Sequence, residues 1–501
     1  MKWRLIREQI KEDRGATLMM VAGMLTALMA VSAFAVDLGW LYLNTSRLQK
    51  AADSAALAGV VNLPTSPAGA DADAQSASAA NQFPIGNPAY NTFASQVLPD
   101  NTYEVTLGTQ VQSFFLRVVG FSDFNITRTS TAQYVLPVPM GSPANCFGIG
   151  DPSVLANFPA GSGTAAAEAL CDDYAQNFWG AVNGPQTAKE HGDPYMPACI
   201  TSSGGSCSGG PNTEYNPTDH YFYGIEVPAG KSFLDVWVYD FAFYDRGNFN
   251  LETGDSDSLG GSTSGGAHTT ISLGRPDLTP YDPADNPIEC TVTVNSESSS
   301  GTFRNLWAKL CPTVSNPANG LWVVQVSTSG NIGGSNQYSL LANSDNISSS
   351  SMPRIYGIND MSIFTNDTDG LATVWLAEIL PVHAGKKLVL RFFDPGESAP
   401  PAVMQVRKPG GGAATGCSWT SDNGSSGNSC TIVTANGGGS IFNGDWIDMV
   451  IDIPSNYNCT QSDNGYSGCY WTMMLNLQTS HDRTTWAARV IGNPVRLVPN
   501  N

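Results

Sequence analysis

From Ala16 to Val36 the chain carries no charged side chain, and helix-compatible sequence continues past that point to Gly59. At 1.5 Å per residue such a run covers about 31 Å, the thickness of a bilayer's hydrocarbon core. The residues before it hold Lys2, Arg4, Arg7, Lys11 and Arg14 against Glu8, Glu12 and Asp13. An excess of Lys and Arg on that side favours an N-terminus in the cytoplasm. The segment is therefore expected to anchor a single-pass protein in the cytoplasmic membrane, with 1–14 cytoplasmic and the bulk extracytoplasmic or at the cell surface. Ala33-Phe34-Ala35 also fits a small-x-small cleavage site, which would make the first 35 residues a signal peptide. Against that stand the length of the apolar run, the acids before it and the helical sequence beyond it.

The rest of the composition suits an exported, loop-rich β protein. Only 13% of residues are charged, and 42% are hydrophobic, enough over 501 residues for two or three cores. A net charge of −19 argues against nucleic acid as a partner, since little would neutralise its phosphates. Ten cysteines fall in sequential couples: Cys146/Cys171, Cys199/Cys207, Cys290/Cys311, Cys417/Cys430 and Cys459/Cys469. An even count in Gly/Ser/Asn-rich loops reads as disulfides, each closing a short loop worth about 2–3 kcal/mol. Nearest-neighbour pairing is the expectation, although spacing alone does not fix connectivity.

Beyond the apolar run, Leu41, Leu48, Ala52, Ala55 and Gly59 form a narrow stripe of mostly small residues. Such a stripe admits a second helix at close range, or packs on the protein's own next domain. Three segments here carry a resemblance: Asp13-Arg14-Gly15, Ala35-Val36-Asp37-Leu38-Gly39-Trp40-Leu41-Tyr42, and Leu48-Gln49-Lys50-Ala51-Ala52-Asp53-Ser54-Ala55-Ala56-Leu57-Ala58-Gly59. Together they resemble the N-terminal domain of TadG-like Flp (tight adherence) pilus-assembly proteins, densely over about 45 residues. The resemblance implies a membrane protein with a pilin-like helix, here 15–62, whose partners are other pilus-assembly proteins. Prepilins place Glu five residues after the cleaved Gly; counted from Gly15 that position is Met20, so the anchor is expected to stay on.

Residues 63–80, with Pro64 and Pro67 ahead of Ala/Asp/Ser, read as a linker. Residues 81–137 read as a small α+β unit: Tyr103, Val105 and Leu107 alternate as a strand, Val111, Phe114, Phe115, Val118 and Val119 have helical spacing, and Phe124–Val135 alternates again. From residue 140 the chain repeats itself. Ala229-Gly230-Lys231 leads into a strand ending on Asp240, and Ala384-Gly385-Lys386 into one ending on Asp394. Trp322 and a later Tyr338 are answered by Trp471 and Trp486. The expectation is two duplicated sandwiches, 140–345 and 346–501. The segment Val227–Asp240, with Asn336–Leu340, resembles bacterial pre-peptidase C-terminal-like jelly-roll modules, which are typically non-catalytic. The fold class is thus α+β: a long transmembrane, pilin-like helix with a small α+β unit, then two all-β, jelly-roll-like sandwich domains.

None of the five histidines, His191, His220, His268, His383 and His481, lies in a metal or catalytic motif, and no GxSxG or phosphate-loop signature occurs. No catalytic residue and no cofactor is therefore assigned. Calcium is the one ion considered, because Asp240, Asp245, Asp255 and Asp257 crowd a Gly/Ser/Asn-rich loop region. Trp237, Trp322, Trp375, Trp419, Trp446, Trp471 and Trp486 suit either a carbohydrate platform or the sandwich core, and their strand positions favour the core. The sequence thus predicts an anchored pilus-assembly or adhesion protein, not an enzyme, with a surface or envelope protein or glycan as a further partner. The alternative is a secreted module, cleaved after Ala35, that binds glycan or protein.

Overall fold

The structure, a computed structural model, describes every residue except 1, 64–66, 87, 99–101, 135–137, 152, 157, 159–177, 196–197, 204–205, 216–220, 244–255, 258–266, 278–282, 296–301, 331–332, 347, 349–350, 367–370, 397–399, 460–466, 477–480, 492–494 and 499–501. The chain forms two compact units, Met1–Val135 with Pro494–Asn501, and Leu136–Asn493. The second unit is thus an insertion in the first.

The first unit opens with α1 (Lys2–Val60) and α2 (Pro67–Ala80), followed by β1 (Thr92–Leu98), β2 (Thr102–Gln112) and β3 (Asp123–Tyr134). These strands form an antiparallel sheet in that order. Helix α1 holds because Leu48, Ala51, Ala52, Ala55, Ala56 and Val60 recur at helical spacing and are all fully buried. The linker expected at 63–80 is corrected: Pro67–Ala80 is helical, with Pro67 at its first position. Ala70, Ala74 and Ser78, four apart, are its buried face. Asn62 Nδ2 donates to Asp73 Oδ2 at 2.8 Å, fastening the α1 end to α2.

The alternation at Tyr103, Val105 and Leu107 is β2, with all three side chains buried. The helix expected over 111–119 is corrected. Strand β2 runs to Gln112, and only Leu116–Val119 turns, as a single 3-10 turn closed by Gly120 at φ 101°. Phe114, Phe115 and Val118 point outward from the β2–β3 loop instead of into a core.

Among the described residues the inserted unit holds two sandwiches that repeat a common set of eight strands, with shorter strands added at their edges. The first takes β4 (Trp179–Asn183), β5 (Tyr221–Val227), β6 (Phe233–Tyr239), β7 (His268–Gly274), β8 (Ile288–Asn295), β9 (Trp307–Lys309), β10 (Gly320–Ser329) and β11 (Gly334–Asn343). The second repeats them as β12 (Asp360–Asn366), β13 (Leu371–Glu378), β14 (Lys387–Phe393), β15 (Ala402–Arg407), β16 (Thr431–Asn436), β17 (Trp446–Asp452), β18 (Tyr470–Asn476) and β19 (His481–Val490). One layer runs β9-β6-β11-β4 and continues β12-β19-β14-β17, so the two copies share a sheet through the β4·β12 pair. The other layers are β8-β7-β10-β5 and β16-β15-β18-β13. Each strand of the first copy has its counterpart eight strands later, in the same place in the sheet.

The repeated residues land on equivalent positions. Trp322 and Trp471 are buried in β10 and β18, and Tyr338 and Trp486 in β11 and β19, all within one continuous core. Asp240 and Asp394, immediately after β6 and β14, are both fully buried and both left-handed, at φ 51° and 53°. Each accepts a backbone N–H from a distant loop, Asn305 at 2.7 Å and Gly444 at 2.8 Å. Asp tolerates that conformation better than bulkier residues, which explains why both strands end on it.

The expected second domain, 346–501, differs at both ends. Arg354–Ile358 adds to β5 of the first sandwich. At the other end β20 (Val495–Val498) leaves the insertion and pairs with β3 in the first unit. Arg354 is nearly buried between Glu378 (Nη2 to Oε2, 2.6 Å) and Glu226 (Nη1 to Oε2, 3.4 Å). Glu226 also accepts from Tyr356 Oη at 2.9 Å. Burial alone would disfavour the guanidinium, but the two carboxylates outweigh it and keep Arg354 firmly charged. The ion cluster ties β5 to the end of β13, one copy to the other.

Candidate functional site: the anchor helix and its platform

A helix long and apolar enough to cross a membrane runs from Ala16 to Val60. Its two halves differ. Leu18 (72% exposed), Met24 (69%), Leu28 (66%) and Val31 (67%) belong to a half whose large apolar side chains face outward all round. In the other half the expected stripe is covered: Leu48, Ala52 and Ala55 are fully buried, Gly59 is buried and Leu41 is half-buried. There α1 packs on the protein's own β2, β3 and α2, one of the two alternatives that the stripe left open. A Cβ on Gly59 would run into the Tyr103 ring and lie 2.9 Å from the Ala70 carbonyl oxygen, so only Gly lets α1, β2 and α2 meet there.

Polar bonds fix the platform around this apolar contact. Tyr103 Oη and Ser95 Oγ both donate to Asp71 Oδ1 at 2.6 Å, and Thr109 Oγ1 donates to Asn91 Oδ1 at 2.6 Å. Burial, reinforced by the Asp71 carboxylate, pushes the Tyr103 phenol well above its ordinary pKa, which keeps its proton available to Asp71. Gln49 Nε2 reaches the Thr129 carbonyl of β3 at 3.4 Å.

Asp37 stands where the bare half ends. Its carboxylate accepts three successive backbone N–H groups of the β2–β3 loop, from Phe114 (2.8 Å), Phe115 (2.9 Å) and Leu116 (2.7 Å). It therefore caps the 3-10 turn from outside the loop. The sequence marks Asp37 as the point where charge resumes and as part of the Ala35–Tyr42 segment, but its partners lie 77 to 79 positions away, beyond any local pattern.

The remaining expected site residues fall elsewhere. Disulfides close Cys290–Cys311, Cys417–Cys430 and Cys459–Cys469, with Cα separations of 6.1, 5.2 and 5.2 Å. The first two each join the two layers of their sandwich at the same edge, linking β8 to the segment after β9 and the start of β16 to a strand beside β17. Cys146 and Cys199 are also disulfide-bonded, while the side chains of Cys171 and Cys207 lie outside the described residues. Of the calcium candidates, Asp240 is the buried loop cap described above. Asp245 and Asp255 lie outside the described residues, as does the side chain of Asp257 in a short strand. Among the described residues no group of three His, Cys, Asp or Glu side chains could hold a metal.

His383 is buried in a 3-10 turn before β14, and His268 and His481 begin strands. His191 sits in another such turn, where burial and Arg483 lower its pKa. His220 lies outside the described residues. Next to His191, Asp193 is fully buried and accepts from Tyr221 Oη at 2.8 Å and the Asn183 N–H at 3.1 Å. Sequence reasoning missed this node, as it missed the Arg354 cluster, because each assembles residues from separate segments of the chain. Trp237, Trp322, Trp446, Trp471 and Trp486 are buried, and Trp375 and Trp419 are half-buried against the core.

Residues 15–75 match the family model Tad, described as Flp pilus-assembly TadE/G-like. The match covers α1 beyond Arg14 and the first part of α2, and the family is a non-enzymatic assembly family. No curated protein matches the chain. Among solved structures, the chain is similar to the N-terminal CBM22-1-CBM22-2 tandem domain of Xyn10C from Paenibacillus barcinonensis, at 10% identity over 53% of this chain and 80% of that one. The TM-score is 0.13, which carries no argument.

Proposed function

We propose that the chain is a membrane-anchored Flp/Tad-type pilus-assembly or adhesion protein that holds its disulfide-stapled double sandwich outside the cytoplasmic membrane. The observation that carries this reading is the division of α1. One half shows large apolar side chains on every side, as a lipid-facing helix does. The other half is the spine of a small domain in which Asp37, Gly59 and Tyr103 hold sheet and helix together.

Basic residues before Ala16 favour the N-in orientation, which puts the platform and the sandwiches outside. There the work is geometric. The platform seats on the end of the span, and the inserted sandwiches reach toward other pilus-assembly proteins or toward a surface protein or glycan. Disulfides suit that compartment. Intact mass and membrane partition of the chain in its host test the reading. A full-length, membrane-bound species with oxidised cysteines is expected. A soluble species beginning at Val36 would instead favour a secreted binding module, and one beginning at Ala16 would favour entry into the filament.

A further inference from the structure

The β2–β3 loop presents Phe114, Phe115, Val118 and Phe121 to the outside, with Val118 84% exposed and Phe121 58%. Three aromatic rings and a valine on one tight loop gain nothing for the domain's own core. The loop is nevertheless well ordered. Ser113 N–H donates to the Ser122 carbonyl at 3.0 Å, and Gly120 N–H closes the turn on Arg117. It is also fastened in one place. Asp37 takes three of its backbone N–H groups, and the Trp40 and Phe114 rings lie 5.4 Å apart. Asp37 directly follows Val36, the last residue of the uncharged run.

An apolar loop pinned to that point of the helix sits level with the surface of whatever bilayer the helix crosses. We infer that the β2–β3 loop is a second membrane contact, dipping Phe114, Phe115, Val118 and Phe121 into the extracytoplasmic leaflet beside the span. Phe and Val side chains bury their apolar surface at the headgroup–acyl boundary, and Trp40, a residue type enriched at membrane interfaces, stands at the same level. Arg117, on the same turn, can meet lipid phosphates with its guanidinium while its stem stays among the apolar neighbours. Two contacts, helix and loop, would fix the tilt and rotation of the platform where the helix alone would let it swivel. The inference rests on the reading of Ala16–Val36 as a membrane span.

The test uses the full chain in vesicles of phosphatidylethanolamine and phosphatidylglycerol. A spin label is placed singly at Val118→Cys, Leu25→Cys or Gln96→Cys, the last on exposed β1; the described native cysteines hold no free thiol. Collision with oxygen, which partitions into lipid, is compared with collision with a water-soluble nickel chelate. Oxygen should dominate at 118 and at 25, and the chelate at 96. A label at 118 that meets the chelate, while 25 meets oxygen, overturns the loop contact and leaves the span intact. A label at 118 reached by neither reagent means that protein covers the loop, which also overturns it. Chelate access at 25 removes the span itself, and the loop contact with it. Adding Asp37→Ala to the Val118→Cys chain should cut the oxygen preference at 118 by releasing the loop; an unchanged preference would mean that Asp37 does not hold it in place.

Discussion

The two halves of α1 are equally helical, yet they are built for different surroundings. From Leu18 to Val36 nearly every residue is exposed, large Leu, Met, Val and Phe side chains among smaller ones around the whole circumference. From Leu48 to Val60 the buried residues are mostly Ala and Gly, confined to one face, with Gln49 and Lys50 outside it. Lipid chains adapt to any side chain, so a span needs only bulk and apolarity. A β-sheet offers a fixed surface, and a helix approaches it closely only through small residues. Small residues confined to one buried face mark the half that meets protein.

The largest effect should come from the seated half. Leu48→Ala removes a fully buried side chain between α1 and the sheet and should cost about 2–5 kcal/mol. Hydrogen exchange of β2 and β3 amides in detergent-solubilised chain reads that loss directly. Leu28→Ala, on the bare half, should leave the same amides unchanged; equal losses at both sites would erase the distinction between the halves. Leu28→Lys sharpens it from the other side. A lysine in mid-span should disfavour insertion by about 2.5–3.5 kcal/mol. Partition of the chain between membrane and soluble fractions measures this, with β2 and β3 protection again unaffected.

Much of this division was legible in the residues. The apolar run, the stripe from Leu48 to Gly59 and the alternation of Tyr103, Val105 and Leu107 are local patterns with periods of 3.6 and 2, and all three formed the elements they indicated. The duplication was legible for the same reason, since Asp240 and Asp394 close equivalent strands. Helix α2 was hidden by composition. Ala, Asp and Ser suggest a flexible stretch, and only the four-residue spacing of Ala70, Ala74 and Ser78 betrays a face. The β2–β3 loop misled for the opposite reason, because Phe114, Phe115 and Val118 copy the spacing of a buried helix while pointing outward. Strand β20 could not be read at all: four residues define it, and its partner β3 lies on the far side of the insertion. Asp37 and Arg354 share that difficulty, for their roles exist only once distant segments are brought together.

Gly59→Val tests whether size governs the seated half. The added side chain would strike Tyr103 and the Ala70 carbonyl, and overpacking of that kind costs about 1–3 kcal/mol. Hydrophobicity rises with the change, so a view based on apolarity alone expects gain where the geometry expects loss. Thermal unfolding of the first unit, followed by exchange at β2, separates the two outcomes.

The smallest effect belongs to the residue between the halves. Asp37→Ala removes the acceptor of three loop N–H groups, but these stand at the level where the span ends, and water or lipid headgroup oxygens at the membrane boundary can take the carboxylate's place. The loss should resemble that of a helix N-cap, on the order of 1 kcal/mol. It should also stay local: exchange at Phe114, Phe115 and Leu116 accelerates while β2 and β3 keep their protection. A global loss would instead make Asp37 part of the platform's core. Unchanged exchange would mean that the loop orders itself, leaving the two halves of α1 to meet without a joint.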